Sequence, residues 1–230
     1  LEPGRGLTDA IENPSRIDGL FIERAMVRSN ERLAVLSAEA PLQSPIVTDG
    51  SAFYQLEEEL RSAFECTIVD MPRIMMMMHS NLLTETQVAV IVTELTLASA
   101  RDTIRILSWF KQTIPHAQVL IVANRVQPVA QQELSRKDFE SSIERKIDFA
   151  IPYDGRLAAQ AAKLGKTLAE VARSSKAMAG FGQLAHRVAE LTSPAEDNVE
   201  IAAPRGRGST TERTHHESSL LGKLIAARKN

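Results

Sequence analysis

The stretch QVAVIVTELTLASARDTIRIL, residues 87–107, changes its hydrophobic pattern half-way along. Its first part is an almost continuous apolar run rich in β-branched residues, which is typical of a strand buried on both faces. From Leu97 onward, apolar residues recur every three or four positions as far as Ile114, and this spacing predicts a helix that ends before Pro115. A buried strand followed directly by an amphipathic helix is typical of α/β proteins.

The same alternation extends in both directions from this stretch. Further strands are predicted at residues 32–36, 66–70, 117–125 and 146–154. Further helices are predicted at residues 51–64, with Ser51 as N-cap, from about Leu157, and around Phe181, Leu184, Val188 and Leu191. Because the strands are apolar throughout, we expect a mostly parallel sheet with helices on both faces.

Composition excludes several classes of protein. The 230 residues are 43% hydrophobic and 24% charged, as in ordinary globular proteins. A formal net charge of -2 gives no general attraction to nucleic acid or anionic membranes. The single cysteine, Cys66, excludes an internal disulfide and is predicted to be a buried, inert thiol in strand 66–70. No apolar run approaches the ~20 residues that span a bilayer, so we expect a cytoplasmic protein.

Three regions are predicted along the chain. Residues 1–191 carry the α/β pattern, and residues 192–217 are polar and rich in Gly, Pro, Ser and Thr, which predicts a disordered linker. Residues 218–230 form a short amphipathic basic tail, in which the apolar side chains are Leu220, Leu221, Leu224 and Ile225. This tail favours either weak membrane contact or a frayed, partly docked end.

Asp70 ends the predicted strand 66–70, and ligands of parallel sheets bind at the carboxyl ends of strands. A carboxylate there can hold the water shell of a Mg²⁺ ion bound to nucleotide phosphates. The alternative is a turn-forming aspartate before Met71 and Pro72, and the stretch alone favours neither.

The chain offers one Gly-Lys-Thr triplet, at residues 165–167, and its context is wrong for a phosphate loop. A P-loop needs a glycine where this chain has Gln160, and it follows a strand, whereas residues 157–164 have a helical pattern. No other glycine-rich loop follows a predicted strand.

Charged side chains follow the first strand discussed above, namely Glu94, Arg101 and Asp102. They lie near the ligand edge of the predicted sheet. We interpret them as solvated charges at the start of a helix, and contact with a partner or second subunit is the alternative.

Four segments together resemble one family. They are CTIVDMPR (66–73), AVIVTELTLASARDTIRIL (89–107), VLIVANRV (119–126) and IPYDGRLAAQAAKLGKTLAEVA (151–172). Their order and spacing are similar to those of MinD/ParA-type deviant Walker-A ATPases, which have the P-loop NTPase fold. VDMPR followed by VTELTLASARD resembles the CpaE/TadZ branch, which localises and assembles Flp-type (tight adherence) pili. The resemblance covers about residues 7–191.

The resemblance implies a site for ATP and Mg²⁺. Asp70 matches the catalytic Walker-B position, which touches the metal through water. Asn124 matches the asparagine whose amide reads the adenine edge, and Arg125 lies beside it. The loop that lines the base from the other side matches Pro152, Tyr153 and Asp154.

The resemblance also implies partners. Such proteins form homodimers around ATP, and the pilus branch works with the pilus secretion ATPase and the inner-membrane pilus platform, at the inner membrane near a cell pole. A ParA-like role in DNA partitioning is less favoured, because residues 1–191 carry 21 basic and 24 acidic residues and offer no general positive surface. We therefore expect no nucleic-acid partner.

One departure from the family is large. The deviant Walker-A loop, with its lysines and the first strand and helix, precedes the part that this sequence matches. The sequence also begins without an initiator methionine, so we expect it to be part of a longer chain. Without that loop the phosphate cradle is missing and a central sheet edge is exposed. Two interpretations stay open: a nucleotide-switched ATPase and a non-hydrolysing scaffold of the same fold.

Overall fold

The computed structural model describes residues 5–38, 50–172 and 176–193. The predicted linker 192–217 and tail 218–230 therefore lie outside the described residues, apart from Thr192 and Ser193. Within the described ranges the β-strands are β1 (Val27–Asn30), β2 (Leu33–Val35), β3 (Val88–Thr93), β4 (Gln118–Val126) and β5 (Phe149–Pro152). The helices are α1 (Gly6–Glu12), α2 (Gly19–Ala25), α3 (Ser51–Ala63), α4 (Arg73–Met78), α5 (Leu97–Thr113), α6 (Arg136–Ile143), α7 (Gly155–Leu164), α8 (Leu168–Val171) and α9 (Lys176–Thr192).

The main sheet has the order β3-β4-β5, and all its strands are parallel. Helix α5 connects β3 to β4, and α6 connects β4 to β5. Strand β4 lies in the middle, and its residues 120–123 are buried on both faces. The predicted α/β fold with a parallel sheet is confirmed, because each apolar strand is followed by a helix that returns the chain across the sheet.

Helices α5, α6 and α9 pack against the main sheet. Ile121 and Ala123 of β4 pack with Phe139 of α6 and Ala100 of α5 in one apolar cluster. A second cluster joins β3 to the other end of α5 and includes Ile91. Helix α9 packs against β5.

Strand β3 is only half buried, although its sequence predicts a fully buried strand. Ala89, Ile91 and Thr93 are buried, but Val90 is 38% exposed and Val92 is 63% exposed. Exposed and buried residues alternate along β3, so Val90 and Val92 lie on one face of the sheet, and that face is less covered than the other. Within the described residues β3 pairs with β4 on one side only, so it is an edge strand, as expected for a sheet that lacks a neighbouring strand.

The predicted strand at residues 66–70 is wrong. These residues are not part of any described strand, and Ile68 is 87% exposed and Val69 61% exposed. Cys66 is exposed as well, so its expected burial is also wrong. An apolar extended segment becomes a strand only when a neighbour satisfies its backbone groups, and no described strand pairs with this one.

The first part of the chain forms a separate apolar cluster around α1, α2 and α3. The strand predicted at residues 32–36 is confirmed as β2, but it pairs antiparallel with β1 and lies outside the main sheet. Helix α3 is confirmed as well, except that its N-cap is Gly50, with a φ of 88°, and not Ser51. No helix in the described part of the chain is long and apolar enough to cross a membrane.

Glu140 of α6 ties that helix to the segment that leads into β5. Its carboxylate accepts hydrogen bonds from Lys146 Nζ at 2.7 Å, Arg136 Nε at 2.9 Å and the Ile147 backbone N–H at 3.1 Å. These donors, led by Lys146, lower the pKa of Glu140 from 4.5 to about 2. The network fixes where β5 begins and therefore where its carboxyl end lies.

Candidate nucleotide-binding edge

The expected base-binding residues meet at the carboxyl edge of the main sheet. Asn124 and Arg125 lie in the last part of β4, and Pro152 ends the neighbouring strand β5. Val126 pairs with Pro152, and the Tyr153 N–H donates to the Val126 carbonyl oxygen at 3.0 Å. The two sequence segments, 26 or more residues apart, therefore form one continuous edge.

Strand β4 carries an extra residue at this edge. Ala123 pairs with Ala150, and the next pair is Val126 with Pro152, so three steps along β4 match two along β5. Arg125 lies in this bulge with a φ of 52°, a left-handed conformation that is unfavourable for a residue with a Cβ. Bulges and strained residues of this kind are common beside binding sites, where they redirect side chains.

The side chain of Asn124 is half-buried and is held by the backbone of the next residue. Its Oδ1 accepts a hydrogen bond from the Arg125 backbone N–H at 2.9 Å. Within the described residues, the Asn124 Nδ2 group has no hydrogen-bond partner. The amide therefore presents its two N–H donors at the edge, which is the group needed to recognise acceptors on a base.

The loop after β5 has a structural role as well. Asp154 Oδ1 accepts from the Leu157 N–H at 2.9 Å and caps the N-terminus of α7. Tyr153 is 52% exposed, and its hydroxyl lies over Gly155, where a Cβ would be only 2.7 Å away. Tyr153 thus offers an accessible aromatic ring at the edge, while the Asp154 carboxylate is occupied by the helix.

Asp70 lies apart from this group. It is exposed at the end of the extended segment, and no described contact joins it to Asn124 or to the 152–154 loop. Arg73, three residues later, forms an ion pair with Asp102 in α5 at 2.5 Å. This pair attaches the segment after Asp70 to the first turns of the helix that follows β3.

The carboxylate of Asp70 is the only expected metal contact. Among the described residues, no group of three or more His, Cys, Asp or Glu side chains is placed to hold a metal ion. Mg²⁺ commonly takes one or two carboxylates together with water and substrate phosphates. An exposed single carboxylate fits that manner of binding and does not form a metal site alone.

The Gly-Lys-Thr triplet is not a phosphate loop in the structure. Gly165 ends α7 with a φ of 59°, and the Lys166 N–H donates to the Ala161 carbonyl oxygen at 3.0 Å. Thr167 then caps α8 and forms a capping box with Glu170. The prediction that this triplet is not a P-loop, which rests on its helical context, is confirmed. In the described part of the chain, no glycine-rich turn joins a strand to a helix.

The structure gives two glutamates, Glu94 and Glu133, contacts that the sequence did not predict. Glu94 was interpreted as a solvated charge, but its Oε1 lies 3.4 Å from Arg125 Nη1, across the ends of β3 and β4. Glu133 accepts a hydrogen bond from the Leu97 N–H at 3.0 Å, at the N-terminus of α5. Both contacts join residues more than thirty positions apart, so no local spacing could have identified them.

Solved structures show which fold this is. A ParA-family ATPase from Chlorobium tepidum matches with a TM-score of 0.71 and 19% identity, over 82% of this chain and 77% of the other. MinD from Aquifex aeolicus matches with a TM-score of 0.58 and 20% identity, over 82% of each chain. The cell division ATPase MinD from Pyrococcus furiosus matches with a TM-score of 0.61 and 15% identity, over 81% of this chain and 91% of the other.

No protein-family model and no curated protein matches the sequence. At identities of 15% to 20%, the structural likeness shows the fold. The chain therefore has the α/β fold, with a parallel sheet and helices, of the ParA and MinD structures that it matches.

Proposed function

We propose that this protein is a nucleotide-switched positioning ATPase of the CpaE/TadZ type, which acts in the assembly and localisation of Flp-type pili. The observation that carries the nucleotide part is the juxtaposition of Asn124 and Arg125 with the 152–154 loop at the ends of two parallel strands. Ligands of open α/β sheets bind outside such carboxyl ends.

The base half of the site fits an adenine nucleotide. Asn124 presents an unpaired amide N–H₂ group at the edge, and amide side chains pair well with the N6 and N7 groups of adenine. Pro152 and Tyr153 supply apolar and aromatic surface beside it. Asp154 contributes through the backbone of the loop, since its carboxylate caps α7.

The part of the site that would hold the phosphates is less complete than the part that would hold the base. Asp70 provides the carboxylate that a Mg²⁺ ion would meet through water, and ATP with Mg²⁺ would supply the chemistry of phosphoryl transfer when bound. The described residues contain no strand–glycine loop–helix turn to hold the phosphates. We therefore assign base recognition to this part of the chain and derive no hydrolytic step from it.

The absence of a phosphate-binding glycine turn among the described residues favours a second candidate, a scaffold of the same fold that does not hydrolyse nucleotide. The two candidates differ in whether nucleotide binds at the edge.

In both candidates, the proposed partners are a second copy of the chain, the pilus secretion ATPase and the inner-membrane platform. The proposed place is a cell pole, with a weak membrane contact through the 218–230 tail. A fluorescent fusion that stays evenly distributed in a piliated cell would contradict this placement.

Calorimetric titration of the 230-residue chain with ATP and Mg²⁺ tests the proposal. Asn124→Asp keeps the acceptor for the Arg125 N–H but removes the amide donors, and we expect roughly tenfold weaker binding from the loss of about 1.4 kcal/mol.

Asn30→Asp is the matched control. Asn30 Oδ1 also accepts a backbone hydrogen bond at 2.9 Å, from Arg32, in the turn between β1 and β2. Binding equal to the parent in Asn124→Asp would contradict the site. A parent chain that binds no ATP would contradict the ATPase proposal and favour the scaffold.

Asp70→Asn tests the metal contact separately. We expect the parent to bind ATP more tightly with Mg²⁺ than without it, and the variant to lose that difference. A variant that keeps the full Mg²⁺ effect would remove Asp70 from the site.

A further inference from the structure

We propose that Glu94 and Arg125 are positioning residues for the nucleotide site, which hold the Asn124 amide in its base-reading orientation. The inference rests on the proposed function and adds to it. Arg125, expected from the resemblance to lie against the nucleotide, acts through its backbone and its ion pair, and Glu94 acts through Arg125.

The backbone at Arg125 needs support. Its φ of 52° is a conformation that glycine adopts readily and that arginine rarely adopts. The other described non-glycine residue with positive φ is Glu144, which ends α6, a place where left-handed residues are common. Arg125 has no such local reason, because it lies inside strand β4. Contacts from elsewhere must therefore hold it.

Three contacts hold this conformation. The Arg125 N–H donates to Asn124 Oδ1 at 2.9 Å, and the following residue, Val126, accepts the Tyr153 N–H at 3.0 Å. The Arg125 guanidinium reaches across the sheet edge to Glu94 at 3.4 Å. Of the three, the ion pair is the contact that links the bulge to the end of β3.

The orientation of the Asn124 amide depends on its contact with the backbone at the bulge. The Arg125 N–H donates to Asn124 Oδ1 at 2.9 Å, so the oxygen is held and the nitrogen is directed away from that contact. A base then meets two N–H donors and the remaining lone pair of the oxygen. A change in the backbone between Asn124 and Arg125 would remove this donor, and the amide could then rotate.

The ion pair is exposed, with 65% of the Arg125 side chain and 47% of the Glu94 side chain accessible. Exposed pairs have small effects and are screened by salt. We therefore expect a modest change in affinity, about two- to fivefold for loss of the pair. Its dependence on salt is the signature that a purely structural contribution would not show.

The test is a double-mutant cycle on ATP affinity in the full chain, with Glu94→Gln, Arg125→Gln and both together. We expect each single variant to bind ATP two- to fivefold more weakly and the double variant to bind no more weakly than either, because both remove the same interaction. The effect should disappear near 1 M salt, where the Debye length is about 3 Å. The exchanged pair, Glu94→Arg with Arg125→Glu, should recover part of the affinity.

Glu12→Gln is the control, because Glu12 of α1 forms an exposed pair with Arg5 at 3.3 Å, and no described contact joins this pair to the edge. Single variants that bind like the parent, or whose effects add in the double variant, would overturn the positioning role while leaving the proposed function intact. A parent that binds no ATP would overturn the proposed function, and this inference with it.

Discussion

The contact between α9 and β5 allows a sharp test of the packing beneath the site. A Cβ built on Gly180 would lie 2.8 Å from the Ala150 carbonyl oxygen of β5 and 3.5 Å from Ile151 Cγ1. The first distance is shorter than real Cβ contacts, and the atom it meets is backbone, which cannot rotate away. Gly182, two residues later in the same helix, has nothing within 4 Å of its built Cβ.

The two alanine substitutions should therefore have different effects on stability. Alanine gains up to about 1 kcal/mol over glycine in a helix, and this gain applies equally at both positions. Inserting a methyl group into a packed contact costs about 1–3 kcal/mol, and only Gly180→Ala incurs that cost. Gly182→Ala should thus be stabilising by up to about 1 kcal/mol, and Gly180→Ala should lie about 1–3 kcal/mol below it.

Urea unfolding followed by far-UV circular dichroism measures this difference directly, because the shared propensity gain cancels between the two variants. In thermal unfolding, each kcal/mol corresponds to about 2–4 °C for a domain of this size. If Gly180→Ala unfolds at the same urea concentration as Gly182→Ala, or at a higher one, the close approach of α9 to β5 is wrong.

Three further predictions concern other parts of the chain. The pKa of Glu140 is lowered to about 2, mainly by Lys146 and then by Arg136, so this carboxylate stabilises the fold above pH 4.5 and the contribution is lost as the pH falls from 4.5 towards 2. Urea titrations across that range should therefore show that the free energy of unfolding depends less steeply on pH in Glu140→Gln than in the parent. An equal slope in both proteins would refute the network. The exposed thiol of Cys66 should react with Ellman's reagent in the native protein about as fast as in urea; protection in the native state would show that residues 66–70 are covered. Ile121→Ala should destabilise the protein by about 2–5 kcal/mol in equilibrium unfolding, because Ile121 is fully buried in the central strand, and a cost below 1 kcal/mol would contradict its place in the core.

Much of the fold could be predicted from the sequence, because it depends on local patterns. Strand β4 and helix α5 lie where the apolar run and the three-to-four spacing place them, and α5 ends just before Ile114 and Pro115. The residues around Asn124 and the 152–154 loop could be placed at one edge, since the carboxyl ends of neighbouring parallel strands meet there.

The errors have a common physical cause. Residues 66–70 have the composition of a strand, but a strand exists only with a neighbour, and pairing is decided by parts of the chain distant in sequence. The same holds for Val92, whose exposure depends on whether a distant element covers its face of β3 and not on its own residue type. The left-handed Arg125 has no sequence signal, because contacts from Glu94 and β5 support it.

By itself, the sequence determined the class of fold, the order of β3, α5, β4 and β5 along the chain, and which polar residues follow the strands. These are properties of continuous apolar runs and of the helical period of 3.6 residues, which each segment carries alone. The tertiary structure alone decided which strand lies at the edge, that Cys66 is exposed, and that Arg125 lies in a left-handed bulge beside Asn124. Those features depend on free energies of contact between distant segments, which no local pattern contains.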